Sequence, residues 1–376
     1  MDLVIYSGVM HEVMGGGANS TRTTIKYLEK AGHKVKCFEN IYSLRKYLSF
    51  SKPDLLLHHN IKELNSVYNM SIKHNVPMIV TINNLITCMT GVHMRYGSKF
   101  GTPCYNCNFL DSIICQFKEK NVRNLREKTM ALLSLPFRYF THKRRIAILN
   151  KVSGVIAISP TLKKLLIENG VNRHIDVCPQ PIDNDFLKLP NSIPKSNKKN
   201  ILYVGGGEPF KGIRVLLEAF NKLNRDDVNL LIAGDIRESN HLDLFKIQKR
   251  NSNILFLGQL SAEELKNYYY LADIFVFPSL WLEAYGRAWA EAACCGKPIL
   301  AFKGRGGASD YLKHMETGYL VDTNTISVIK GLNTLLKNSD LRYKIGKSAK
   351  SFALNNLIAS KVISKLENLF QKSISH

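Results

Sequence analysis

The stretch Ile274-Phe275-Val276-Phe277-Pro278-Ser279-Leu280-Trp281-Leu282-Glu283-Ala284-Tyr285-Gly286-Arg287 runs on through Glu291-Ala292-Ala293 to Cys294-Cys295-Gly296-Lys297-Pro298 and Ile299–Ala301. It reads as strand, loop, helix, strand. The run Ile274–Phe277 is apolar without alternation, the mark of a strand buried on both faces. The helix after the loop stops at Gly296, a C-cap residue, and Pro298 prevents its continuation. The next run ends at Gly304-Arg305-Gly306-Gly307, which opens another helix.

The same alternation extends in both directions. Before it lie the runs Ile201–Val204, Leu230–Ala233 and Ile254–Leu257; earlier still lie Leu3–Tyr6, Val35–Phe38, Leu55–His58, Met78–Ile82 and Val155–Ile158. Continuous runs separated by helical patterns predict parallel sheets covered on both faces, and two such series predict two doubly wound α/β domains. The polar, proline-bearing stretch 190–200 is the expected linker. It separates a first domain, 1–189, from a second, 200–357. Residues 358–376 are expected to form a helix that packs back on the first domain.

The 376 residues are enough for two cores. No apolar run reaches the roughly 18 to 20 residues of a spanning helix, and the start is too short and too acidic for a signal peptide. The expected location is the cytoplasm. Net charge is +22, and residues 1–200, with 29 basic and 13 acidic side chains, carry most of it. Such a field attracts phosphorylated substrates, anionic lipid or nucleic acid, and by itself selects none of them.

Chemistry concentrates after the strands of the second half. Glu283 falls in a loop at the carboxyl end of a parallel strand, where doubly wound folds bind ligands. Backbone N–H groups at Tyr285, Gly286 and Arg287, and at Gly306 and Gly307, sit at helix starts and can hold phosphate or sugar oxygens. Glu291, two turns on, can accept hydrogen bonds from a diol such as a ribose. Upstream, Val204-Gly205-Gly206-Gly207-Glu208-Pro209-Phe210-Lys211-Gly212 is a strand, a glycine turn and a lysine before a helix, which is an anion site.

These residues resemble the signature of glycosyltransferase family 4, the retaining group 1 glycosyltransferases of GT-B fold. The family's Pro-Ser, Glu-aromatic-Gly, second Glu eight positions on, Cys-Gly-x-Pro and Gly-Gly helix start all have counterparts here. The resemblance implies two Rossmann-like domains facing a central cleft. It implies that Glu283 holds the donor sugar's hydroxyls, Glu291 the nucleotide ribose and Lys211 the diphosphate. Gly206 stands where the family has arginine, so one diphosphate clamp is missing; Arg214 or Arg287 could take its place. Gly258–Leu260 would lie beside the base.

Nearer the N-terminus, Gly15, Gly16 and Gly17 resemble the family's first glycine loop, whose amides approach the donor phosphates. Pro53-Asp54, His58-His59-Asn60 and Ile158-Ser159-Pro160 also match. Where the family has a sugar-contacting histidine after the fourth strand, this sequence has Asn83 and Asn84. Asn83 can hydrogen-bond a hydroxyl but exchanges no proton, and His59 is the nearest substitute. Asp183-Asn184-Asp185 has the spacing of a metal–diphosphate motif of another fold. It follows Pro181-Ile182, where this family has Gly-Ile-Asp, and is set aside.

Two features lie outside that signature. Cys88, Cys104, Cys107 and Cys115 share one irregular stretch, within an insertion of about 84–145; they could hold a structural zinc or be unpaired thiols. Residues 117–145 carry nine basic and two acidic side chains, with Val122, Leu125, Leu132 and Leu133 at helical spacing and Phe137, Tyr139 and Phe140 beside His142-Lys143-Arg144-Arg145. This can be a face for an anionic membrane or a solvated helix with a core stripe.

The expected function is retaining transfer of a sugar from a nucleotide-diphosphate sugar to a glycan, a lipid-linked or another acceptor, with no catalytic cofactor. Glu283 and Lys211 are the expected catalytic pair, and nucleic acid is not an expected partner. The alternatives are a sugar-nucleotide epimerase of the same fold, or a basic protein binding membrane or nucleic acid with a degenerate donor site.

Overall fold

A computed structural model of the protein describes residues 1–7, 16–59, 61–84, 94–95, 102–104, 108–118, 129–130, 132–237 and 241–374. The chain divides into two units, Met1–Pro181 with Ala359–His376, and Ile182–Ile358.

The first unit contains β1 (Asp2–Ser7), α1 (Gly16–Lys30), β2 (Lys34–Phe38), α2 (Ile41–Leu48), β3 (Leu55–His59), α3 (Leu64–Lys73) and β4 (Met78–Ile82). There follow the two-residue strands β5 (Met94–Arg95) and β6 (Thr102–Pro103), then α4 (Phe109–Lys118), α5 (Leu135–Leu149), β7 (Gly154–Ala157), α6 (Pro160–Glu168) and β8 (Asp176–Val177). The second unit contains β9 (Lys199–Val204), α7 (Ile213–Leu223), β10 (Val228–Ala233), α8 (Leu242–Gln248), β11 (Ile254–Gly258), α9 (Ala262–Leu271) and β12 (Ile274–Phe277). It continues with α10 (Arg287–Cys294), β13 (Ile299–Phe302), α11 (Ala308–Tyr311), β14 (Tyr319–Val321), α12 (Thr325–Lys337) and α13 (Ser339–Asn356). The last helix, α14 (Ala359–Ile374), returns to the first unit. The units divide ahead of the stretch 190–200, whose last two residues already belong to β9.

Each unit is built on a six-stranded sheet whose pairings are all parallel. The orders are β2-β1-β3-β4-β7-β8 and β11-β10-β9-β12-β13-β14. The strands are the apolar runs of the sequence: Leu3, Val4, Ile5 and Tyr6 in β1 and Ile274, Phe275 and Val276 in β12 are all fully buried. Helix starts follow local chemistry. Asn40 caps α2 and Ser159 caps α6 by accepting backbone N–H bonds, and Ser261 with Glu264 forms a capping box on α9. Helix α14 presents Val362, Ile363, Leu366, Leu369 and Phe370 on one face, and these share a core with Leu3, Ile5, Leu28, Leu55 and Leu57. At about 2 kcal/mol for each large apolar side chain buried, that face is what holds the helix to the first unit.

The strand orders fix where a ligand can sit. In the second unit the chain runs outward from β9 to β10 on one side and resumes at β12 on the other. The first unit reverses between β1 and β3. Crevices open at such reversals, outside the carboxyl ends of the strands.

Candidate active site

Three loops meet at the carboxyl ends of β9, β12 and β13. Phe210 O, in the loop after β9, accepts from Leu280 N (2.8 Å) and Trp281 N (3.3 Å), in the loop after β12. Glu283 N donates to Arg305 O (2.7 Å), in the loop after β13, and Glu283 bridges Gly306 as in a parallel ladder. Two glycines permit this closeness. Gly212 has φ +76°, and a Cβ there would collide with the Pro278 carbonyl. Gly307 has φ +49°, and a Cβ would lie 2.6 Å from Tyr285 O and 3.2 Å from Glu283 Cβ. Side chains at either position would force the loops apart.

Glu283 is the hub. Its Oε2 accepts from Lys211 Nζ (3.0 Å), Ser279 Oγ (3.1 Å) and Trp281 Nε1 (2.7 Å). All three donors reach the same oxygen, which leaves Oε1 for another partner. The carboxylate is 8% exposed and the lysine 29%. Lys211 Nζ also lies 5.1 Å from the centre of the Trp281 ring, and Trp281 stacks on Phe210 at 4.5 Å. The cation is therefore held over an aromatic floor beside its carboxylate, with its head still reachable.

The glycine turn before Lys211 is tied down from both sides. Tyr203 OH donates to Gly206 O (2.7 Å), and Arg214 Nη1 to Gly207 O (3.1 Å). Burial, with Glu208 and Glu283 nearby, pushes the Tyr203 phenol above its ordinary range, so it remains a donor. Arg214 also pairs with Asp243 (2.8 Å) and so props the loop.

Glu291 lies in α10, 7% exposed, and accepts from Tyr269 OH (3.0 Å) and Arg287 Nε (3.2 Å). Arg287 is thus committed to its own helix as well. The Tyr285 ring is 1% exposed and packs with Trp289 and Tyr311, so Tyr285 can offer a ligand only its backbone. No side chain caps α10 at Gly286.

The first unit has its own pocket at the carboxyl ends of β3, β4 and β7, against α1 and α14. Thr21, His59, Thr81, Asn83 and Gln180 line it, with Phe370 of α14. His59 Nδ1 is 3.1 Å from Thr21 Oγ1. Burial, helped by His58, pushes the His59 imidazole down to about 4, so it is neutral at pH 7. Gly16 and Gly17 form the exposed first turn of α1, and Gly17 O accepts from Thr21 Oγ1 (3.3 Å). Gly15 lies outside the described residues.

Trp281 and Ser279, both inside the quoted stretch, had no role assigned from sequence. Their shared contact with Glu283 Oε2 was signalled only by their nearness in sequence. His241 was likewise unforeseen; its ring covers Gly207 closely enough that a Cβ there would lie 2.7 Å away. The expected structural zinc gains no support. Cys88 and Cys107 lie outside the described residues; Cys104 and Cys115 are in no disulfide, and no metal-holding group of His, Cys, Asp or Glu occurs among the described residues. Asp183 of the set-aside motif caps a short turn through Asp185 N, and Asp185 pairs with Lys188. Among the described residues, no helix is long and apolar enough to cross a membrane.

Comparison with known proteins bears on the family and the fold. Residues 185–352 match the family model described as glycosyl transferases group 1. The lipopolysaccharide 1,2-N-acetylglucosaminetransferase of Salmonella typhimurium is 29% identical over 188 residues, 46% of this chain and 49% of that protein. The N-acetyl-alpha-D-glucosaminyl L-malate synthase of Bacillus anthracis is 26% identical over 191 residues, 50% of this chain and 49% of that protein. The chain thus spans about half the length of these two curated relatives. Among solved structures, Anabaena HepE in complex with UDP and glucose superimposes with a TM-score of 0.73 at 16% identity, over 99% of each chain. The sucrose-phosphate synthase of Thermosynechococcus elongatus does so at 0.75 and 17%, over 100% of this chain and 99% of that one. The fold is GT-B, and the match to the group 1 glycosyl transferase model falls within its second unit.

Proposed function

We propose that this protein is a retaining glycosyltransferase that moves a sugar from a nucleoside-diphosphate sugar to a glycan or lipid-linked acceptor. One observation carries the reading: Lys211 and Glu283 stand as a paired cation and carboxylate at the β9–β12 reversal, with Oε1 of the carboxylate left over. A nucleoside-diphosphate sugar has a use for each member. Its diphosphate needs a compact cation, and its sugar hydroxyls need an acceptor. The two curated relatives, an N-acetylglucosaminetransferase and an N-acetyl-alpha-D-glucosaminyl L-malate synthase, point the same way.

In the proposed reaction the bond between the anomeric carbon and the diphosphate oxygen breaks, and a bond from the acceptor oxygen to that carbon forms on the same face. The acceptor's proton leaves with the diphosphate. Lys211 and the backbone N–H groups of the glycine turn stabilise the charge that develops on the leaving group. Glu283 Oε1 orients the sugar while Trp281 and Ser279 fix the carboxylate. Glu291 addresses the nucleotide ribose, held ready by Tyr269 and Arg287. His59 and Asn83 offer neutral hydrogen-bonding groups to a polyhydroxylated ligand of the first unit.

The test is thermal unfolding against a panel of nucleoside diphosphates and their sugar conjugates, followed by analysis of the product's anomeric configuration. A ligand at about 100 times its dissociation constant adds roughly 2.7 kcal/mol of stability. A shift with one nucleotide and a glycoside of unchanged configuration is expected. No shift with any of them would remove the reading, and conversion of the donor without an acceptor would replace it by epimerisation.

A further inference from the structure

Helix α5 wears its apolar residues on the outside. Leu133, in the turn before it, and Phe137 and Phe140 within it are 72%, 75% and 72% exposed. At positions i, i+4 and i+7 they form one stripe, which Arg144 continues at i+11. The opposite face is the one that packs inward, through Leu135, His142, Ile146 and Leu149. Two phenylalanines exposed to that degree on one helix are not incidental surface carbon. Lys143 and Arg144 are exposed at the same end, and Arg138 and Arg145 are partly so. Residues 129–149 contain no Asp or Glu. Beside α5, through the Phe109 and Tyr139 rings, lies α4, which itself exposes Leu110 (69%) and Ile114 (48%).

A stripe that is aromatic at its centre and cationic at one end, without a single carboxylate, fits one occupant. We propose that the outer face of α5 docks on an anionic lipid bilayer. Phe137 and Phe140 sit at the headgroup–acyl boundary, and Lys143 and Arg144 rest on lipid phosphates. Charge argues against a second copy of this chain as the occupant. A two-fold contact would bring the patch against itself, cation against cation, with no carboxylate in 129–149 to offset them. The aliphatic members of the patch, Leu110, Ile114 and Leu133, favour a bilayer over nucleic acid, whose phosphates would meet the cations and whose bases would stack on the rings but leave those side chains in water.

The test uses the full chain and no sugar nucleotide, so its failure leaves the proposed transfer activity untouched. Co-sedimentation is measured with vesicles of phosphatidylcholine alone and of phosphatidylcholine with about one quarter phosphatidylglycerol, compositions that differ in surface charge. The protein is expected to bind the anionic vesicles and not the neutral ones. Phe137→Ser with Phe140→Ser should weaken binding by roughly tenfold for each ring withdrawn, and Lys143→Glu with Arg144→Glu by roughly fivefold or more for each cation. Both double variants alter exposed side chains and should unfold at the parent temperature. Should either misfold, Phe137→Trp reports instead, since the emission it adds to that of Trp281 and Trp289, taken as the difference from the parent, must shift to the blue on anionic vesicles. No binding by the parent protein, equal binding by the phenylalanine variant, or an unshifted tryptophan would each overturn the proposal. So would self-association that the phenylalanine variant abolishes while vesicle binding is absent, which would make the stripe a contact between copies.

Discussion

The sheet end at β9–β12 and the sheet end at β3–β7 belong to two parallel sheets of the same doubly wound build, yet they hold opposite kinds of side chain. At β9–β12 a lysine and a glutamate stand 3.0 Å apart, with a second glutamate–arginine pair buried behind them. At β3–β7 the polar part of the lining is hydroxyl, amide and a neutral imidazole, set among apolar side chains such as Leu57, Ile156 and Phe370. The difference teaches how one architecture is specialised. Glycines at the closest approaches let loops converge until charges can be paired out of water, which suits a ligand that is itself charged. The other end uses neutral groups that accept and donate hydrogen bonds without a desolvated ion, which suits a ligand made of hydroxyls.

The sharpest way to break this comparison is to remove charge from the first end. Glu283→Gln keeps the shape but loses the anion facing Lys211. Transfer should fall by about a thousandfold, the scale of losing one organised electrostatic contact in a reacting site. Nucleoside-diphosphate binding, followed by calorimetry, should persist, since Lys211 remains. Near-parental turnover would mean that the paired charges are structural only.

Gly212→Ala tests the convergence that makes the pairing possible. The new Cβ meets the Pro278 carbonyl, and φ is +76°. Backbone strain and overpacking together should cost about 4 kcal/mol, read by urea unfolding. A cost below about 1 kcal/mol would show that the loop can relax without its glycine.

The second end is tested by pH. In the unfolded chain the His59 imidazole titrates at its ordinary value of 6.5, and in the folded protein it is pushed down to about 4. Below the unfolded value, the unfolded chain takes up a proton that the folded one refuses. Stability is therefore lost as pH falls through that window, by about 3 kcal/mol once it reaches the folded value. His59→Gln should show a shallower decline than the parent between pH 6.5 and 4, and equal slopes would mean that the pocket admits the charged ring.

Much of this was legible in the sequence because it rests on local chemistry. The buried strands are unbroken apolar runs, and Gly212, Gly286 and Gly307 are punctuation that only close backbone approach requires. Glu283 and Lys211 could be singled out and paired in role through the resemblance, but their direct contact could not be read. They are 72 positions apart in sequence and meet only because β9 and β12 are neighbours in the sheet. Tyr285 was read for its backbone N–H alone; where its ring goes could not be read, and it is core, because a residue beside a glycine turn can point inward as readily as out. The inverted face of α5 was hidden for a similar reason. Helical spacing showed that Leu133 belonged to a stripe but could not say which way the stripe faced.

The smallest effect discriminates most finely between the two ends, since it leaves every charge in place. Trp281→Phe preserves a ring to stack on Phe210 and to lie under Lys211, and deletes only the indole N–H that donates to Glu283 Oε2 at 2.7 Å. A hydrogen bond to a charged group contributes about 1.5 to 3 kcal/mol. If that bond holds the carboxylate for the reaction, kcat should fall about tenfold or more, with KM and unfolding temperature nearly unchanged. If it merely stabilises the loop, unfolding temperature should fall and kcat hold. The first result would make Trp281 a positioning residue, and the charged end a site whose anion needs three donors on one oxygen to keep the other aimed at the substrate.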